Sequence, residues 1–289
     1  LGHLATVTTT GRAVRADVAR RLDADPTVVE LRATRNQAEL ERIGFAKQSR
    51  YLDAMRAGDR RDTANRQLAT RESAAIHEAL SDARPFGGHQ QQVRVLSSAS
   101  VQAPSAAIGR QLGVAPTDAV DLLREAERFY PTEWLRKADA RGELTLAQTD
   151  RAFFAGGATN GDDLIGISNR GAQLDVKGAH TDTETEIMIH EVGHRMEQVV
   201  PGLMPMEFAL ARRRATTNGV LDDLVDMGGG EMSYEDKWRL AYTGRSYAQS
   251  GDTRPDRIPH EVFQVGTQDL FGRGVRKYGD DELQEFTMG

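Results

Sequence analysis

The chain reads as an α+β fold, with a mainly helical N-terminal region over residues 1–85 and, over residues 86–289, a small mixed sheet that leads into a buried helix. Three observations predict this. From about Val14 to Leu80 the sequence is dense in Arg, Ala, Glu, Asp and Gln, nearly empty of strand formers, and has Pro26 as its one proline. Between Gly142 and Asn169, three short apolar runs are divided by Gly, Asn and Asp turns. Downstream, Thr183 to Gln198 forms an apolar helical stretch in which two histidines stand four residues apart.

In the first region Leu40, Ile43, Lys47, Tyr51 and Met55 trace an i, i+3, i+4 stripe with mostly charged residues around it. So narrow an apolar face suits long helices packed on one another or on another chain. Acidic residues (Glu39, Glu41, Asp53, Asp59, Asp62) interleave with the arginines, which favours a solvated face over a nucleic-acid surface. Pro85-Phe86-Gly87-Gly88 breaks the pattern and marks the boundary. Val93 to Leu96 reads as a short strand, Ser97 to Ala106 as a connector, and Thr117 to Phe129 as a helix closed by Tyr130-Pro131. Pro131 to Leu135 opens another helix. Leu144-Thr145-Leu146, Ala152-Phe153-Phe154 and Leu164 to Ile167 are the three predicted strands.

The composition excludes several classes. With 37 basic and 43 acidic residues among 289, the net charge is −6, which offers nucleic acid no general attraction. No apolar run approaches the length of a membrane span. There is no cysteine, so any transition metal must be held by histidine and carboxylate.

His190-Glu191-Val192-Gly193-His194 carries the chemistry. Residues four apart on a helix share a face, one turn apart, so both imidazoles reach one metal ion, while Glu191 sits about 100° round the helix. Zinc lowers the pKa of a coordinated water from about 15.7 toward 7, and a neighbouring carboxylate can then take the proton as that water attacks a carbonyl. The pattern itself is only three positions long. It gains weight from Ile187, Met188 and Ile189, which bury the helix and would leave unpaired histidines costly. Gly193 suits a neighbouring element packed close, Thr183 with Glu186 forms a capping-box pattern, and Pro201-Gly202 ends the helix.

A catalytic zinc site needs a third protein ligand. The metzincin pattern would require Gly at 197 and His at 200, where this chain has Glu197 and Val200. Glu261 is the leading candidate, at the start of a second helix with Pro259 in its first turn; His260 and Glu197 are its rivals. A Glu on a later helix is the gluzincin arrangement, but the thermolysin-like Asn before it and Asp four residues after it are absent, since His260 and Val265 stand there. For a side chain that steadies the oxyanion of a tetrahedral intermediate, Tyr247 is the choice, with Tyr242 and Arg245 in the same Gly-punctuated loop.

With these pieces in hand, the stretch from about Tyr130 to Phe271 resembles a zincin subgroup, the metallopeptidase-like domains of actinobacteriophage minor head proteins. The residues that carry the resemblance are Tyr130-Pro131-Thr132-Glu133-Trp134-Leu135, His190 to Gln198 with Pro201-Gly202 after it, and Glu261-Val262-Phe263-Gln264-Val265-Gly266. The resemblance covers about half the chain. It implies a zincin-like fold, Zn2+ as cofactor, endopeptidase action on a protein or peptide substrate, and a phage or prophage origin. It also implies a place in a virion or a secreted toxin, with the N-terminal helices contacting head proteins. The alternative is a head or injected protein that keeps the fold as a scaffold without proteolysis.

Overall fold

The computed structural model describes residues 2–97, 112–149, 152–159, 162–168, 183–217, 220–221, 225–228, 231–233, 238, 241–246, 260–272 and 280–289. It is α+β, with an N-terminal helical region and a small mixed four-stranded sheet.

The helical region comprises α1 (Gly2–Ala24), α2 (Pro26–Lys47) and α3 (Tyr51–Ala83). Pro26 marks the first break: it occupies the first turn of α2, where its missing N–H costs nothing, and Asp25 caps the helix by accepting from Thr27 N at 2.8 Å. The second break, at Gln48 to Arg50, has no comparable signal, and Ser49 takes a left-handed φ of 58° to make it. This break corrects the predicted stripe. Leu40 lies before it and Tyr51 and Met55 after it, and all three are exposed. The α2–α3 contact is made instead by small side chains, with Val28, Ala38, Ala57 and Ala64 buried, because alanine lets two backbones approach more closely than leucine does. The interleaved charges pair locally, as in Arg42–Glu39 at 2.8 Å and Arg61–Glu39 at 3.1 Å.

After Pro85 to Gly88, whose Gly87 N donates to the Tyr130 carbonyl at 2.9 Å, come β1 (Val93–Val95), α4 (Ala119–Glu127) and α5 (Thr132–Arg141). The sheet follows, with β2 (Leu144–Thr149), β3 (Phe153–Thr159) and β4 (Asp162–Ser168) in spatial order β1-β2-β4-β3. Neighbours β1, β2 and β4 run parallel; β3 runs antiparallel to β4 and forms one edge, with a register shift between Ala155 and Thr159. Each predicted strand is found with shifted ends: β1 stops one residue before Leu96, β2 runs three residues past Leu146, β3 starts one residue after Ala152 and runs five past Phe154, and β4 gains two residues before Leu164 and one after Ile167.

The central helix, α6 (Glu184–Glu197), packs on β3, β4, α4 and α5. Its capping box is complete: Thr183 Oγ1 accepts from Glu186 N at 3.2 Å, and Glu186 Oε2 accepts from Thr183 N at 2.6 Å. Beyond Gly202 the chain continues through α7 (Leu203–Arg214), a pair of two-residue strands β5 (Thr216–Thr217) and β6 (Val220–Leu221), and a second small sheet of β7 (Val225–Gly228), β8 (Glu231–Ser233) and β9 (Arg245–Ser246). It ends in α8 (Val262–Phe271) and α9 (Asp281–Met288). One apolar cluster joins the two regions, with Leu4, Val18, Ile76 and Leu80 beside Val192, Phe263 and Phe286.

The closest approach in that junction is α1 on α9, where a Cβ on Gly11 would lie 1.6 Å from the Glu285 carbonyl oxygen. Gly11→Ala is therefore expected to destabilise the protein by about 1–3 kcal/mol through overpacking against backbone. Gly44→Ala, in α2 with nothing within 4 Å of its Cβ, should stabilise by up to about 1 kcal/mol. Urea denaturation of the two variants checks the pair, and equal midpoints would contradict the junction.

Candidate metal site

The site is built where α6 meets the start of α8. The helical spacing brings His190 and His194 onto one face, with ring centroids 5.1 Å apart. Both Nε2 atoms converge on the same oxygen of Glu261: His190 at 2.9 Å and His194 at 3.3 Å. All three side chains are buried, Glu261 completely. These three residues could hold a metal ion, their donor atoms all lying within 4.8 Å of one another. Tetrahedral coordination at 2.0–2.2 Å would set neighbouring donors about 3.4 Å apart. The observed distances need to open by only a few tenths of an ångström, so the residues fit the ion.

Glu261 was expected inside the helix with Pro259 before it. The helix begins one residue later, at Val262, and Glu261 is its cap residue, with φ −104° and ψ 5° and no capping bond from its side chain. A carboxylate spent on capping could not also reach the imidazoles. Pro259 and Tyr247 lie outside the described residues. From the same loop it is Tyr242, in a short 3₁₀ turn, that reaches the site, donating from Oη to Glu261 Oε1 at 2.9 Å. Arg245 lies over the Tyr242 ring at 4.5 Å.

The rivals for third ligand hold other posts. Glu197 Oε2 lies 3.5 Å from His194 Nδ1, and its Oε1 accepts from the backbone N of His260 at 3.0 Å. Glu197 thus sits behind a ligand, and His260, through its backbone, sits behind Glu197. The His260 ring is buried beside Phe208, and burial pushes its pKa down to about 4, so it is neutral at pH 7.

Two further contacts complete the ring of supports. His190 Nδ1 is 3.1 Å from Gln268 Oε1, which fixes Nδ1 as the protonated nitrogen and leaves Nε2 for the site. Glu207, wholly buried on α7, accepts from Phe263 N at 2.8 Å. Burial, then the Glu197 carboxylate beside it, raises the Glu207 pKa well above the ordinary carboxylate range. Sequence reasoning named neither. Gln268 stands seven residues after Glu261, two turns along α8 on the same face, and Glu207 is a lone acid among Leu203, Met206, Phe208 and Leu210. Both signals were present.

Gly193 has the role its position suggested. A Cβ there would lie 3.1 Å from both Gln264 Cγ and Tyr130 Oη, and the bare backbone lets that hydroxyl reach the Ile189 carbonyl. Beside the ligands, a cavity of about 370 Å³ is lined by Glu191, His194 and Glu197 of α6, by Gln198 just after it, by Phe153 and Phe154 of β3, and by Arg141 and Tyr242. Phe154 stacks on His194 at 6.4 Å.

Together these elements define a buried site of two histidines and one carboxylate, opening on a cavity that Glu191 shares. Comparison with protein-family models, with curated proteins and with solved structures found no match. Among the described residues, no helix is long and apolar enough to cross a membrane.

Charge at the site sets a pH dependence. For His194, burial lowers the pKa, but the Glu261 and Glu197 carboxylates outweigh it and raise the pKa well above 6.5. For Glu261, burial raises the pKa, but His194 and His190 outweigh it and hold it well below 4.5. The raised His194 stabilises the metal-free fold fully below pH 6.5, and this stability is lost as pH rises through its folded pKa. A metal must displace that proton, so affinity should keep rising with pH beyond 6.5, with about one proton released per ion at pH 7. Zinc titration calorimetry in buffers of different ionisation enthalpy measures this count, and release of none would contradict it.

Proposed function

We propose that this chain is a zinc metallopeptidase of zincin type, hydrolysing peptide bonds in a protein or peptide substrate. The observation that carries the reading is the convergence of His190 Nε2 and His194 Nε2 on one buried oxygen of Glu261, beside a cavity lined by Glu191. With no cysteine in the chain, a set of two imidazoles and one carboxylate suits a catalytic zinc ion. Held by His190, His194 and Glu261, zinc would supply Lewis acidity toward the carbonyl oxygen and acidify the attacking water.

The remaining work belongs to the protein's own groups. Glu191, on the cavity side of α6, takes the proton from the water as it attacks and returns it to the leaving amine. Tyr242 keeps Glu261 oriented through the 2.9 Å hydrogen bond and also lines the cavity; the donor to the developing oxyanion would be Tyr247. Gln268 and Glu197 hold the two imidazoles at their far nitrogens. The substrate would lie along β3, the sheet edge beside α6, adding a strand whose backbone hydrogen bonds demand no particular side chains.

A second reading, a phage head or injected protein that keeps this fold as a scaffold, is favoured by one observation. The α2–α3 pair exposes Leu40, Tyr51, Leu52 and Met55, each 66–71% accessible, a surface suited to other virion proteins.

Glu191→Gln separates the two. On the enzyme reading, the variant binds zinc in the same ratio as the parent and loses about 10²-fold or more of its rate on a cleavable protein. Metal analysis with mass spectrometry of new termini provides the measurement. A zinc-loaded parent that cleaves no protein offered, or a variant as fast as the parent, would sink the peptidase reading.

A further inference from the structure

Arg141, the last residue of α5, lies on the cavity wall without touching the metal site. Its Nε donates to Asp163 Oδ1 at 3.2 Å, and Asp163, at 1% exposure, also accepts from Arg195 Nε at 3.0 Å and from Gly157 N at 3.1 Å. Two guanidinium groups therefore share one carboxylate, with Asp139 a second negative charge acting on Arg195. Arg195 cannot present its charge to solvent or substrate, being wholly buried with its Nη2 donating to the carbonyls of Ala138 and Gly142. Arg141 is the guanidinium of the two that reaches the cavity, its side chain 34% accessible. Anchoring by Nε leaves the two Nη groups as a fork. They lie beside Gly156 of β3, where even a Cβ would come within 2.9 Å of Nη2.

Apart from His194, which belongs to the metal site, the described lining is otherwise neutral or acidic: Arg141 is its one arginine or lysine, and Glu191, Glu197, Phe153, Phe154 and Gln198 share the wall. A cavity of about 370 Å³ spans two to three residues of extended chain at ~3.3 Å each. A fork of this kind, held at its base and open at its tip, matches a carboxylate in two-point geometry.

We propose that Arg141 is a specificity-determining residue that selects peptide substrates carrying a carboxylate within two or three residues of the scissile bond, from either an acidic side chain or the peptide's own C-terminus. This rests on the metallopeptidase reading, and its test is chosen so that the two can fail separately.

Four peptide hydroxamates of one length serve as probes, ending in Glu or Gln and with a free or an amidated C-terminus. Calorimetric binding to the zinc-loaded full chain gives the readout, which needs no turnover. The carboxylate-bearing ligands should bind roughly tenfold tighter than the fully neutral one at low salt, with the advantage shrinking as ionic strength rises. Arg141→Gln should bring that ratio to within about twofold while leaving the neutral ligand's affinity and the zinc content unchanged. Arg141→Lys, which keeps the charge and a partner for Asp163, should retain part of it. A gain tied to Glu identifies the side chain as the recognised group, and a gain tied to the free terminus identifies the C-terminus; either supports the proposal. Equal affinities for all four, or a preference that survives Arg141→Gln, overturns it and leaves the peptidase reading standing. Failure of every hydroxamate to bind the zinc-loaded chain overturns both.

Discussion

A carboxylate with no solvent contact, set between two imidazoles, is the constraint on which the rest of the structure depends. An isolated buried carboxylate costs several kcal/mol even after relaxation, and only cationic partners with good geometry offset it. Among the described residues, Glu261 meets the Nε2 atoms of His190 and His194 and the Tyr242 hydroxyl. Each comes from a different turn or element, so the arrangement requires α6, the start of α8 and the 3₁₀ turn before β9 to meet at one point. A divalent ion among the same donors would offset the burial of the acid more fully than one shared proton can.

The supports around this point follow the same logic of desolvation. Helix α6 is buried nearly all round, so every polar group on it needs a partner. Ile189, Val192 and Met196 meet the core, while Glu186 is consumed by the capping box and Arg195 by Asp163 and two carbonyls. Glu197 is carried into the interior, where His194 Nδ1 at 3.5 Å and the backbone N of His260 at 3.0 Å offset its burial. A chain of contacts thus runs from α7 through Glu197 to His194, and a second runs from α8 through Gln268 to His190. The imidazoles are oriented before any ligand arrives.

What was legible in the sequence was mostly local. The His190/His194 face, the Thr183–Glu186 box and the strand runs depend on neighbours a few residues away, and each has a strong chemical preference behind it. Glu261 could be named as well, because a zinc site lacks a ligand without it and few acids lie in apolar surroundings downstream. The break at Ser49 escaped notice because no proline or glycine makes it; a left-handed serine is unremarkable as sequence. The burial of Ala38, Ala57 and Ala64 in place of Leu40 and Met55 is decided by how closely two helices approach, which an apolar count does not encode. The bond from Tyr242 to Glu261 depends on which way a short 3₁₀ turn presents its side chains, and so short a turn gives no periodicity from which to read that.

Asp163 shows why the metal helix and the sheet edge cannot be treated as separate parts. It sits in β4, and its oxygens hold Arg195 of α6, Arg141 of α5 and, through Gly157 N, the bulged part of β3. Gly157 accepts a φ of +64° there, which lets the edge strand bend back toward the carboxylate. The same residue therefore sets the height of the edge strand relative to the helix that carries His190 and His194. A strand added to β3 would inherit that spacing, since its position is fixed by backbone hydrogen bonds and not by side chains. On the metallopeptidase reading proposed above, displacement of β3 would carry a bound peptide away from Glu191 by a similar amount, and misplacement on the scale of 1 Å is enough to cost catalysis about a hundredfold. Burying Asp163 with two arginines is expensive, and what that expense secures is the distance between the edge strand β3 and the face of α6 that carries Glu191.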